Sequence, residues 1–140
     1  MEYIKINGWP PDVAREAYAK GNYIESIQIL HAWAEHQARE LFHLIGATHF
    51  KSSIKDTWDI VNTFSLHDSL KILFVLNQLS KEEYGKFMKL NKLRNNIIHS
   101  LYKEPYDGER KKVSKKDFDK IFNDSLEQIE LIGFKSDELV

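Results

Sequence analysis

The chain has 140 residues, 42% of them hydrophobic, with 20 basic and 21 acidic side chains giving a formal net charge of −1. This length suits a single domain over residues 1–140, able to bury roughly two-thirds of its unfolded surface without a covalent staple. Cysteine is absent, which excludes disulfides, thiolate metal centres and cysteine nucleophiles.

The longest apolar run, Ile72 to Leu76, falls far short of the roughly 20 residues of a membrane span. The start, Met1-Glu2-Tyr3-Ile4-Lys5, lacks the apolar core of a signal peptide. A soluble, cytoplasmic protein without membrane contact is expected.

In chain order, Pro10 and Pro11 open a first helix to about Lys20, since proline suits a first helical turn, and Gly21 stops it. Asn22 caps a long second helix, with Glu25 at the capping-box position and Gly46 ending it near Ile45. A short helix is expected over Lys55–Thr63. Ser65 with Asp68 caps a helix from Leu66 to Leu79, and Ser80 with Glu83 caps the next, Lys81 to Tyr102. Lys103–Val113 is the one substantial loop. Ser114 with Asp117 then starts the last helix, which Gly133 terminates. With no repeat and no alternating strand pattern, the fold class is all-α, an antiparallel up-and-down bundle of four or five helices.

On the wheel of the Lys81–Tyr102 helix, Phe87, Leu90, Leu93, Ile97, Ile98 and Leu101 form one apolar arc, flanked by Tyr84 and Tyr102. Arg94 falls inside that arc. An unpaired buried guanidinium is costly, so either it has a partner or the face lines a groove. The second helix offers His31 and Glu35 as candidate partners. Asn91, Asn95 and His99, four apart, share a stripe at the arc's margin, toward which a long arginine can lean. Between Gly85 and Lys103 every charged side chain is basic (Lys86, Lys89, Lys92, Arg94, Lys103). The loop region adds Arg110, Lys111, Lys112, Lys115 and Lys116. This is local positive charge of the kind that meets a phosphate backbone, although the loop reads equally as an ordinary solvated turn.

The segment Leu90-Asn91-Lys92-Leu93-Arg94-Asn95-Asn96-Ile97-Ile98-His99 resembles the signature of the HEPN superfamily. There, an Arg and a His lie four to six residues apart on a bundle helix, often with Asn after the Arg. Arg94, Asn95 and His99 match that pattern. Ala14–Leu44, with its Lys20-Gly21-Asn22-Tyr23 break, is similar to the family's N-terminal hairpin. One toxin subgroup carries Tyr two residues after the His, whereas here Tyr102 comes three after.

The resemblance implies a metal-independent endoribonuclease without cofactor, a toxin or antiviral-defence effector, cleaving RNA through attack of the ribose 2′-OH on the adjacent phosphate. His99 would move the proton and Arg94 clamp the phosphate. Asn95 would orient His99 or bond a phosphate oxygen, while Glu35 and Tyr102 would support them. Lys92, Lys103, Arg110, Lys111 and Lys112 would hold RNA. Two copies facing one another through Tyr84, Phe87 and Tyr102 would supply the second proton-transfer group, so a homodimer is expected. An antitoxin or nucleotidyltransferase is a possible further partner.

Two other readings stand beside it. One is a catalytically silent HEPN-like module that binds nucleic acid, a nucleotide or a protein. The other is a plain helical interaction domain with Arg94 in a structural ion pair. His36, Glu40 and His43 share a helix face but lack the further ligands of a zinc site. Trp9, Trp33 and Trp58 read as packing residues.

Overall fold

The computed structural model describes residues 1–103 and 113–140. They form six helices: α1 (Pro10–Ala19), α2 (Tyr23–His49), α3 (Ile54–Val61), α4 (Leu66–Val75), α5 (Lys81–Lys103) and α6 (Lys115–Leu139). No strand occurs among the described residues, and no helix there is long and apolar enough to cross a membrane. The molecule is an all-α helical bundle.

Local chemistry explains most boundaries. Ser53, Ser65 and Ser114 accept from the backbone N–H three residues on, at 3.3, 3.1 and 3.1 Å. Ser80 and Glu83 form a reciprocal capping box, which satisfies two otherwise orphaned donors. Gly21, at φ +78, takes the left-handed turn after α1, and Asn22 N–H reaches back to Ala17 O at 2.8 Å in a Schellman closure.

Other boundaries differ from the sequence reading. Helix α4 stops at Val75 rather than Leu79, because Asn77 adopts φ +58 and Gln78 N–H bonds Leu73 O at 2.9 Å. Asparagine tolerates that conformation and so stops a helix as glycine does. Glycine, in turn, fails to stop two others. Helix α2 continues through Gly46 to His49, its turn coming at Lys51 with φ +55. Helix α6 passes Gly133 and continues to Leu139, since Ile132 and Ser136 prolong its buried stripe. The Asn22 side chain makes no capping bond. The helices number six, because the segment after α2 forms α3 as a separate element.

Helix α2 is the hub, packed by α1, α3, α4, α5 and α6. Its buried stripe Ile27, Leu30, Ala34, Ala38, Leu41 and Ile45 meets Leu66, Leu70 and Leu73 of α4, Phe87 and Leu90 of α5, and Phe118, Phe122, Ile129 and Ile132 of α6. The two alanines at mid-helix let neighbours approach closely, so a single amphipathic helix can seat several others. Tyr18 stacks on Phe122 with ring centroids 4.6 Å apart and donates to Asp119, which ties α1 to the start of α6.

Candidate functional site

The apolar face of α5 is divided along its length. Phe87, Leu90 and Leu93 are buried at 0, 0 and 5% exposure, whereas Ile97, Ile98 and Leu101 are only half-buried. Arg94 lies where the face leaves the core and is itself half-buried. Phe87, expected at a surface between two copies, instead fills the core, and Tyr84 packs on Phe74 with centroids 4.9 Å apart. Of the half-buried residues, Ile97 still packs on the core, while Ile98 and Leu101 continue the apolar face beyond it.

Across from Arg94, α2 presents Gln28, His31 and Glu35. Their i, i+3, i+7 spacing makes a polar stripe beside the buried one. Arg94 Nε donates to Gln28 Oε1 at 3.0 Å, and Arg94 Nη1 donates to Asn95 Oδ1 at 3.1 Å. One turn away, His31 Nε2 meets Asn91 Oδ1 at 3.0 Å. With the amide oxygen toward the ring, Nε2 carries the proton. The pairings run 28 with 94 and 31 with 91, so α2 and α5 are antiparallel along a polar seam.

The electrostatics of this seam are unusual in one respect. Among the described residues Arg94 has no carboxylate partner, and its two bonds go to neutral amides. These bonds fix the guanidinium without neutralising it, and Nη2 has no bond among the described residues. A half-buried guanidinium held in this way by neutral amides is preorganised, as a group suited to meeting an anion would be. Burial holds the His31 imidazole below its ordinary pKa, and the neighbouring Arg94 charge acts in the same direction. The Asn91 bond and the Glu35 carboxylate oppose these effects. His31 is thus kept neutral beside the arginine.

Glu35 is placed differently from the supporting role the sequence suggested. One carboxylate oxygen accepts from Leu66 N–H at 2.9 Å, at the first residue of α4. The other pairs with Arg39 at 2.9 Å. Glu35 therefore acts as an α4 cap supplied by α2 and does not hold Arg94 or His99. The residue the sequence reading missed is Gln28. Its only signal was its register with His31 and Glu35 on α2.

Asn95 is drawn to Arg94, as a leaning arginine requires. His99 is exposed one turn further along the Asn91–Asn95 stripe and makes no hydrogen bond among the described residues. Lys89 and Lys92 are exposed on the same helix, whereas Lys86 is paired with Glu82 at 3.4 Å. Arg110, Lys111 and Lys112 lie outside the described residues, as do the side chains of Tyr102 and Lys103.

The three histidine-face residues do not converge. His36 stacks on Trp33, with its Nε2 3.7 Å from Glu40, while His43 turns to Thr57 Oγ1 at 2.7 Å and packs on Trp58. Trp9 meets Trp33 edge to face at 4.9 Å, as packing residues do.

Compared with family models, curated proteins and solved structures, the chain matches none.

Proposed function

We propose that this chain is a metal-independent endoribonuclease of HEPN type, a toxin or antiviral-defence effector, acting at a cleft shared by two copies. The observation that carries the reading is Arg94, a guanidinium fixed by Gln28 and Asn95 yet left without a carboxylate among the described residues. A structural ion pair would have neutralised it.

In this reading an RNA phosphodiester docks against Arg94, with Lys89 and Lys92 on the flank. His99 removes the proton of the ribose 2′-OH, O2′ bonds to phosphorus, and the P–O5′ bond breaks to leave a cyclic phosphate. The departing O5′ takes a proton from a second imidazolium; among the described residues the other histidine at this seam, His31, is buried and held below its ordinary pKa. A second copy facing the Ile98 and Leu101 surface would bring its own His99 there. Arg94 would meanwhile stabilise the charge that develops on the phosphate oxygens.

The second reading is the silent binding module. It is favoured by the absence, among the described residues, of any group orienting His99, since catalytic bases are normally held by a partner. An RNA digest in excess EDTA separates the two. Wild-type protein is expected to cleave and His99→Ala to be inactive with an unchanged melting temperature. Metal-dependent cleavage, or full activity in His99→Ala, would falsify the proposed site. No cleavage by wild type, with RNA binding retained, selects the binding module.

A further inference from the structure

Gln28 on α2 is half-buried and reaches Arg94 on α5, 66 residues further along the chain, through a single bond from Arg94 Nε to Gln28 Oε1 at 3.0 Å. An arginine can only donate, so the amide must turn its oxygen to the guanidinium. Glutamate has the same length and would place an oxygen in the same position, with a negative charge added. Two turns further along α2, the same stripe does pair glutamate with arginine, Glu35 with Arg39 at 2.9 Å. That pair serves the fold, since the other Glu35 oxygen caps α4. At Arg94 the stripe carries an amide instead.

The amide has two effects. It fixes the direction of the guanidinium, whose N–H donors form flat forks. Nε is taken by Gln28, and one Nη1 proton by Asn95. The fork of Nε with Nη2 is thus half occupied, and the Nη end of the group is the side on which an anion can bond. The amide also leaves the charge in place. A carboxylate at the same position would compete with an incoming phosphate for it.

On the reading of Arg94 as the phosphate clamp, we propose that Gln28 is the positioning residue of that clamp, its neutral amide keeping the guanidinium both aimed and charged for a phosphate that docks at the Nη end. Tether and charge are separable by substitution. Gln28→Met removes the tether and leaves the charge. Gln28→Glu keeps the tether and cancels the charge.

The test measures binding of a 2′-O-methyl RNA across a salt series, with thermal melts, for wild type, Gln28→Met, Gln28→Glu and Arg94→Gln. Gln28→Met is expected to bind a few-fold more weakly, with an unchanged salt slope and a lower melting temperature. Gln28→Glu is expected to weaken binding roughly tenfold or more, close to Arg94→Gln. Its log–log salt slope becomes shallower by roughly 0.7, the share of one phosphate contact on a single strand, while it melts at or above wild type. Affinity and stability then move in opposite directions, which a merely structural role for Gln28 would not produce. If Arg94→Gln weakens binding but Gln28→Glu keeps the affinity and slope of wild type, the role of Gln28 is overturned and the clamp stands. Equal binding by wild type and Arg94→Gln, or no binding by wild type, overturns the clamp and the role of Gln28 with it. A Gln28→Glu protein that melts below wild type or fails to fold, or a Gln28→Met protein that binds as tightly as wild type, would also overturn the proposal.

Discussion

Arg94, Gln28 and Asn95 form a small closed set in which each amide oxygen accepts one guanidinium proton. Replacing Arg94 with Ala leaves both oxygens without a donor in a half-buried place, so the fold is expected to lose about 1–3 kcal/mol, measurable by urea denaturation. Glu35 makes the opposite prediction to that of a site residue. Glu35→Ala uncaps α4 and frees Arg39, and it is expected to cost about 1–2 kcal/mol while any RNA cleavage per folded molecule persists. His31 provides the pH dependence. Its folded pKa lies below the ordinary value of 6.5, so the unfolded chain binds its proton first as pH falls. Stability is therefore fully present above that ordinary value and is lost as pH drops from there through the folded value. In thermal melts between pH 7.5 and 5, His31→Gln is expected to show a shallower loss of melting temperature than wild type. An equal loss would mean that the seam does not disfavour the charged imidazole.

At the scale of elements, helix starts were legible in the sequence because serine caps are local. The serines before α4, α5 and α6 each need only a backbone N–H three residues on, whereas α3 was expected over Lys55–Thr63 without its Ser53 cap and runs Ile54–Val61. Stops were less legible. Gly46 and Gly133 lie inside helices whose buried stripes continue past them, so tertiary burial outweighs the modest helix penalty of glycine, about 1 kcal/mol. Asn77 ends α4 because the chain there must turn toward α5, a requirement that arises only in three dimensions. The site followed the same rule. Arg94 was visible as a violation of its own wheel, and its lean toward Asn95 followed from one helix. Gln28 lies 66 residues away, and only the antiparallel register of α2 and α5 brings it to Arg94. The roles first suggested for Glu35 and Phe87 failed for the same reason, since α4 occupies the first and the core encloses the second.

At the scale of the whole molecule, near-zero net charge conceals a local run of basic side chains along α5. If the basic face holds RNA, affinity falls steeply with salt, because each neutralised phosphate releases counterions. Lys111→Ala/Lys112→Ala is expected to reduce the log–log slope by roughly 2, and an unchanged slope would remove those lysines from the interface. The proposed shared cleft would require two copies, so light scattering at micromolar concentration is expected to give twice the monomer mass. A monomer would leave the departing O5′ without its acid. The central group is the guanidinium of Arg94, fixed by Gln28 and Asn95 and without a carboxylate partner among the described residues. Its direct measurement is the binding of a short 2′-O-methyl RNA, which cannot be cleaved by 2′-OH attack, to wild type and to Arg94→Gln at the same salt concentration. A charge-assisted bond of about 1.5–3 kcal/mol predicts affinity weakened roughly 10- to 150-fold in the variant, with its circular dichroism spectrum unchanged. Equal affinity in a folded Arg94→Gln protein would contradict the account.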